Sequence, residues 1–205
     1  MGIKVFRRRD GVAVMGETLL AGLPPTFRYA EAVRAIGERQ LRNLVKQGKI
    51  VLLARGLYRK QDWHGDEDLV EISSLADQAT ICLRSALARH DLIDDIPAAI
   101  DIALPQGRWS PVTRMPVNWH HFNVDTFEIG RGVVDVGAGR TIGLYSPERS
   151  IIDAYRLRHR EGSDIALEAL KRWLRAGGQP SSLLVMAGSF PQVLPVLRST
   201  LEVLL

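Results

Sequence analysis

The sequence predicts an α+β protein in two parts, and three observations carry that prediction. Between Thr26 and Lys60 two short helix-like runs are split by Gly37 and followed by two β-prone runs about an Arg-Gly turn. Between Thr80 and Tyr145 β-prone runs dominate, with one helix-like run among them. From Ser146 onward the pattern turns helical. The expected layout is a winged helix-turn-helix over residues 1–64, then an α+β domain over 65–205 with a small sheet and a C-terminal helical bundle.

In the first part, Tyr29, Ala32, Val33 and Ile36 recur at helical spacing and predict a helix over 28–35. Gly37 breaks it, and a second helix runs from Glu38 to Gln47 with Gly48 as its stop. A third packing helix is expected within 11–22, ended by Pro24 and Pro25. The second helix has two faces. Leu41, Leu44 and Val45 mark the buried one; Arg39, Arg42, Asn43 and Lys46 share the other, flanked by Gln40 and Gln47. Arginine matches guanine edges, asparagine and glutamine match adenine, and lysine suits phosphate, so this face has the chemistry of a DNA-recognition helix. A solvated helix face is also rich in such residues, but acids are nearly absent after Glu38. The hairpin of Ile50–Leu53 and Leu57–Arg59 follows directly, with Lys49, Arg55 and Arg59 placed to grip a phosphate backbone. Arg7, Arg8 and Arg9 read as a solvated tail, with a minor-groove arm as the alternative.

In the second part, residues 61–68 read as a linker, and Leu69, Ile72 and Leu75 form a helical stripe. Strands are expected at 80–83, 99–104, 117–124, 133–136 and 141–145, with a helix over 84–90. Ser146-Pro147-Glu148 is a helix start: a capping hydroxyl, a proline in the first turn and an acid near the positive end of the dipole. That helix is expected to reach Arg160, and others to cover 163–176, 180–187 and 191–204.

Composition sets the outer bounds. The 205 residues are 46% hydrophobic and 24% charged, as in ordinary globular proteins. No apolar run has the roughly 18–20 residues that a membrane helix needs. The start, MGIKVFRRRDG, lacks the apolar stretch of a secretory signal, and Cys82 is the only cysteine, so a cytoplasmic protein without disulfides is expected. The net charge of +4 hides an asymmetry: residues 1–62 hold 13 basic and five acidic side chains, a balance of +8, and the remainder hold 14 and 18, a balance of −4. Clustered positive charge suits a polyanion, whose condensed counterions are released on binding.

No catalytic constellation is found in the second part. GxxxxGK[ST], GxGxxG and GxSxG are absent. His120 and His121, adjacent on a strand, point to opposite faces and cannot share a metal. Asp94, Asp95 and Asp101 prompt a comparison with nucleotidyltransferases, but the Gly-Ser turn of that chemistry is missing, and turn and edge positions explain the acids better. Arg149 and Asp153, four apart, are expected to form a surface ion pair; Arg156, Arg158 and Arg160 read as a solvated face or a basic patch. No catalytic residue, metal or cofactor is therefore expected, and no enzyme activity.

Three ordered segments carry a resemblance to a known family. RQLRNLVKQGKIVLLARGLYRK, ATICLRSALARHDLIDDIPAAIDIALPQG and YSPERSIIDAYRLRHREGSDIALEALKRWLR, together spanning roughly residues 28–175, resemble the AbiEi antitoxins of bacterial abortive-infection (type IV) toxin–antitoxin systems. The run ending in Gly56-Leu57-Tyr58 is common to many winged helices; ATICLRSAL, IALPQG and SPERSIIDAYRLR followed by GSDIALEAL are more specific. The N-terminus departs, its first helix shortened before Pro24-Pro25. The resemblance implies a repressor that binds inverted repeats of double-stranded DNA in its own promoter, as a monomer or weak dimer, and counteracts a nucleotidyltransferase-like AbiEii toxin in phage defence. It leaves open whether neutralisation uses direct contact. It puts DNA binding on Arg39, Gln40, Arg42, Asn43, Lys46 and Arg55, to which the helix and hairpin pattern adds Gln47, Lys49 and Arg59. Neutralisation is assigned to the outer side of the 146–175 helices, through Arg149, Arg156, Arg158, Arg160 and Lys171. A stand-alone winged-helix regulator with a sensing or oligomerisation domain is the alternative.

Overall fold

Gly37 takes φ +78° and ψ 152°, a backbone conformation L side chains rarely adopt, and so turns the chain sharply between two helices. In this computed structural model residues 20–205 are described, except 55, 96 and 138 and the side chains of 54, 160 and 161. Arg7, Arg8, Arg9 and Arg55 lie outside the described residues, as does most of the helix expected within 11–22, of which Leu20 and Ala21 are helical.

The first compact unit comprises the chain up to Glu71 with Gly137–Gly139. Strand β1 (Thr26–Arg28) leads into α1 (Tyr29–Ile36), whose first turn is closed by the Arg28 N–H donating to Glu31 Oε2 at 2.6 Å. Helix α2 (Glu38–Lys46) follows the Gly37 turn, and β2 (Ile50–Ala54) and β3 (Leu57–Lys60) form an antiparallel hairpin. Strand β1 adds to β3, giving a three-stranded antiparallel sheet of order β1-β3-β2. Leu23, Phe27, Ala32, Leu41, Leu44 and Ile50 make its core, with Phe27 stacked on Tyr58 at 6.1 Å. Two residues depart from the expected buried stripes: Tyr29 and Val45 are exposed.

Helix α3 (Glu67–Leu75) crosses from the first unit to the second, which comprises Ile72–Val136 and Arg140–Leu205. The second unit is built on a mixed sheet of order β6-β5-β4-β8-β7, from β4 (Thr80–Ile81), β5 (Ile100–Pro105), β6 (Val117–Phe122), β7 (Arg131–Gly137) and β8 (Arg140–Tyr145). β5 runs parallel to β6 and antiparallel to β4, and β4 runs parallel to β8. The helices are α4 (Leu83–Arg89), α5 (Val124–Phe127), α6 (Pro147–Arg156), α7 (Arg158–Glu161), α8 (Ser163–Arg175), α9 (Pro180–Ala187) and α10 (Leu194–Leu204). Leu87, Ile151, Ile152, Leu170, Trp173 and Leu197 are among the residues of its main core. Among the described residues no helix is long and apolar enough to cross a membrane.

Several expected boundaries move: the strand at 133–136 widens to Arg131–Gly137, and four other shifts stand out. The strand at 80–83 stops at Ile81, since Cys82 caps α4 and Leu83 adopts φ 45°. The strand at 117–124 stops at Phe122, because the Asn123 side chain accepts from the Asp125 N–H at 2.8 Å and starts α5. The helix expected to reach Arg160 ends at Arg156 and restarts as α7 after Leu157. The last helix begins at Leu194 rather than 191, with Pro195 in its first turn.

Ser146 Oγ accepts from the Arg149 N–H at 3.3 Å, the cap the sequence anticipates. Ser146→Ala removes that acceptor and is expected to cost about 1 kcal/mol, read as a lower denaturant midpoint at unchanged slope.

Candidate functional sites

On α2 the residues at i, i+3, i+4 and i+7 from Arg39 turn away from the core formed by Leu41 and Leu44, as a 3.6-residue period requires. Arg39, Arg42, Asn43, Lys46 and Gln47 are exposed, and Gln40 is half-buried. The structure therefore gathers the expected polar residues of this helix on one accessible side. The side has a feature the pattern did not reveal. Glu38 Oε1 accepts from the Tyr29 hydroxyl at 2.8 Å and from Arg42 Nη2, so one carboxylate joins the starts of both helices. The Tyr29 bond and then Arg42 hold the Glu38 carboxyl below its usual range; the same bond pushes the Tyr29 phenol up. The i, i+4 spacing of Glu38 and Arg42 is the signal in the sequence, whereas the helical spacing of Tyr29 fits the apolar stripe.

The hairpin cations fare differently. Lys49 is half-buried and lines a hollow of about 570 Å³ with Leu20, Ala21, Lys60, Gln61 and Asp62. Arg59 does not reach outward as expected. Its Nε lies 2.6 Å from a Glu67 carboxylate oxygen, and its Nη1 donates to the Lys60 and Gln61 carbonyls at 3.0 and 3.2 Å. Arg59 is a strut between the hairpin and the start of α3, bonding the carbonyls at the end of β3 and the Glu67 carboxylate.

The residues expected to neutralise a partner are also mostly turned inward. Arg149 and Asp153 are both 0% exposed, so the pair lies in the core and is no surface ion pair. Arg149 Nε donates to Asp153 Oδ2 at 2.9 Å, and Nη1 donates to the Thr126 and Ile129 carbonyls at 2.6 Å each. Its guanidinium stands 4.3 Å from the Tyr145 ring centroid and 4.7 Å from that of Phe190. Arg156 pairs with the other Asp153 oxygen at 3.1 Å and covers Phe122 at 4.5 Å. Burial pushes the Asp153 carboxyl up, opposed by the charges of Arg149 and Arg156. Burial likewise pushes up the Tyr145 phenol, which donates to the Phe127 carbonyl at 2.9 Å. Arg158 Nη1 donates to the Tyr155 carbonyl at 2.9 Å. The Arg160 side chain lies outside the described ones, and Lys171 is half-buried beside Leu167 and Val196.

The three acids do not form one site. Asp94 is bound by Arg172, with Nη1 to Oδ1 at 2.6 Å, which holds its carboxyl below the usual range; Asp95 pairs with Arg84. Both sit in the connection between α4 and β5, in irregular backbone and not in the turn the sequence suggests. Asp101 is not at an edge: it is 3% exposed on β5, between β4 and β6. Its Oδ1 accepts from Asn118 Nδ2 at 3.1 Å and His120 Nε2 at 3.0 Å, and its N–H donates to Ser85 Oγ at 2.8 Å. His121 faces the other way and donates to the Arg108 carbonyl at 2.9 Å. Asp101, Asn118 and His120 line a cleft of about 770 Å³ with Arg84 and Asp95. Among the described residues no group of three or more His, Cys, Asp or Glu side chains is arranged to hold a metal ion.

The fold these sites stand on is mixed α+β, with two small sheets. It is similar to a solved structure, that of the RV2827C protein from Mycobacterium tuberculosis, at a TM-score of 0.53 and 13% sequence identity, over 89% of this chain and 82% of that one. At that identity the likeness concerns the fold alone. No protein-family model and no curated protein matches the chain.

Asp153→Leu leaves Arg149 buried without its counter-charge and is expected to destabilise the protein by about 3–5 kcal/mol in denaturant unfolding. Replacing Arg149 by Met in the same chain is expected to recover a large part of that loss, because an apolar pair removes the stranded charge.

Proposed function

We propose that the chain is an antitoxin of the AbiEi type: a DNA-binding repressor of its own operon that also counteracts a nucleotidyltransferase-like toxin in the bacterial cytoplasm. The observation that carries the reading is the exposed side of α2, where Arg39, Arg42, Asn43 and Lys46 stand clear of the core and a β-hairpin follows. In this reading the first unit is a winged helix-turn-helix. Helix α2 enters the major groove, Gln40 and Gln47 flank the base-reading side chains, and Lys49 meets the phosphate backbone. Arg59 supports the wing from within and contributes no DNA contact. The fixed Glu38 carboxylate orients Arg42, so less side-chain entropy is lost when its guanidinium meets a base edge. The three ordered sequence segments supply the antitoxin half of the proposal. The protein acts by binding and performs no chemistry of its own.

A stand-alone regulator is the second reading, and the cleft beside Asp101 and His120 favours it, since a sensing domain needs such a recess. The neighbouring gene separates the two. Co-expression with a toxin encoded beside it restores growth under the first reading and has no effect under the second.

Arg42→Ala with Asn43→Ala is expected to abolish sequence-specific binding to the DNA upstream of the coding sequence, at about 1–3 kcal/mol per lost base contact. A mobility-shift titration against operator and scrambled DNA reads it; unchanged affinity and preference overturn the recognition-helix assignment.

A further inference from the structure

Helix α2 begins with an acid, Glu38, beside the side chains that the proposed function turns to DNA. A carboxylate repels phosphates, so an acid at the first position of a DNA-facing helix weakens binding to DNA at large. This one is held by two groups. The Tyr29 hydroxyl, at the start of α1, donates to Glu38 Oε1 at 2.8 Å, and Arg42 Nη2, one turn along α2, donates to the same oxygen. Groups this open gain little stability from pairing: Tyr29 is 41% exposed, and the side chains of Glu38 and Arg42 are 47% and 71% exposed. What the arrangement fixes is orientation. Three side chains from two helices are brought to one geometry, next to the exposed Arg39, Asn43 and Lys46. It also leaves complementary groups open. Among the described residues no hydrogen bond occupies Glu38 Oε2, and the Arg42 guanidinium is engaged through Nη2 alone, with the rest of its donor fork unused.

We propose that Glu38 and Arg42 together read a single G·C base pair, and that Tyr29 is the residue that positions them. The proposal rests on the winged-helix reading of the first unit and names the base pair that this part of α2 selects. Arginine donates to O6 and N7 of guanine, and a carboxylate accepts from the N4 amino group of cytosine. A G·C pair offers those groups side by side in the major groove, and Arg42 and Glu38 offer the matching donors and acceptor side by side on the helix. Reversing the pair, or exchanging it for A·T, sets an amino group against the Arg42 donors and an oxygen against the Glu38 carboxylate. A T·A pair keeps both matches but has the thymine methyl in place of N7, which makes it the nearest competitor. Glu38 has a second effect through its charge. It opposes the phosphate contacts that Arg42 would make at any sequence, and so raises specificity while lowering affinity for DNA in general. Tyr29 holds the carboxylate in place without adding charge.

The test compares the full wild-type chain with Glu38→Ala and Tyr29→Phe, folding being checked by circular dichroism. Bound sequences are selected from a randomised duplex library and counted, and affinity for a scrambled duplex is measured by mobility shift. The wild-type chain is expected to select G·C at one position of its site. Glu38→Ala reduces that preference by about tenfold or more, leaves the other positions as they were, and binds scrambled DNA more tightly. Tyr29→Phe reduces the preference at the same position by about threefold, with affinity for scrambled DNA unchanged because no charge is lost. Base preferences that are the same in all three proteins would overturn the proposal and leave the recognition helix standing. Preferences flattened at every position alike would overturn it as well, since Glu38 would then join the two helices and read nothing. A loss confined to a pair other than G·C would overturn the base assignment. A wild-type chain that selects no sequence at all would overturn the winged-helix reading itself.

Discussion

The guanidinium of Arg149 is a full charge enclosed in protein, and the second unit is organised around making that tolerable. Removing an ion of this size from water costs several kcal/mol even after relaxation, so every neighbour must offset part of it. Asp153 supplies the opposite charge one turn along α6, and the carbonyls of Thr126 and Ile129 supply two acceptors. The rings of Tyr145 and Phe190 supply two π faces. These groups come from α6, from α5 and the turn after it, from the end of β8, and from the connection between α9 and α10. One side chain thus ties the end of β8 to the helices that follow. Gly130 shows how close the approach is: at φ +69° a Cβ there would lie 2.7 Å from Arg149 Cβ. Arg156 extends the arrangement from Asp153 to Phe122 at the end of β6. Since an apolar replacement of a buried ion pair is often equally stable, the gain from this one lies in fixing which elements meet.

Arginine position, more than arginine number, separates the two units. In the first, Arg39 and Arg42 stand on an exposed helix side, and Arg42 is restrained by Glu38 without being hidden. In the second, Arg149, Arg156 and Arg158 bind groups of their own unit, while Arg84 and Arg172 clamp Asp95 and Asp94. An arginine that closes a helix onto a carbonyl is no longer available to a partner. Arg59 makes the same point inside the first unit, where it bonds two carbonyls and Glu67.

Local chemistry was legible in the sequence, and enclosure was not. Gly37 between two helical stripes, the Ser146 cap and the hairpin about Gly56 are each decided by neighbours within a few residues, and each stands where the pattern puts it. Arg149 and Asp153 look the same in sequence whether a helix lies on the surface or in the core, because the i, i+4 spacing fits both. What distinguishes α6 is that every residue from Arg149 to Tyr155 is buried, so the helix has no outer side there. The run Ile151-Ile152 with Ala154-Tyr155 was the available sign, since apolar residues wrap more than one stripe. Asp101 was misplaced for a related reason: whether a strand is at an edge is a matter of topology, and the order β6-β5-β4 puts it inside. Asn123 is a cap signature, Asn-Val-Asp, set within a β-prone run that masks it.

The charge split gains meaning from this distribution. A balance of +8 over residues 1–62 attracts a polyanion, and −4 over the remainder repels it. Both effects act within about a Debye length, roughly 8 Å at physiological salt, so a polyanion would be drawn to the first segment and not to the second. Pairing inside the second unit does not by itself change that balance, because each ion pair takes an acid with its cation: Arg84 with Asp95, and Arg172 with Asp94 and Glu168. The −4 is therefore the excess of acids over cations in the segment, whichever of them are paired, and it acts on a partner only through the members that face solvent.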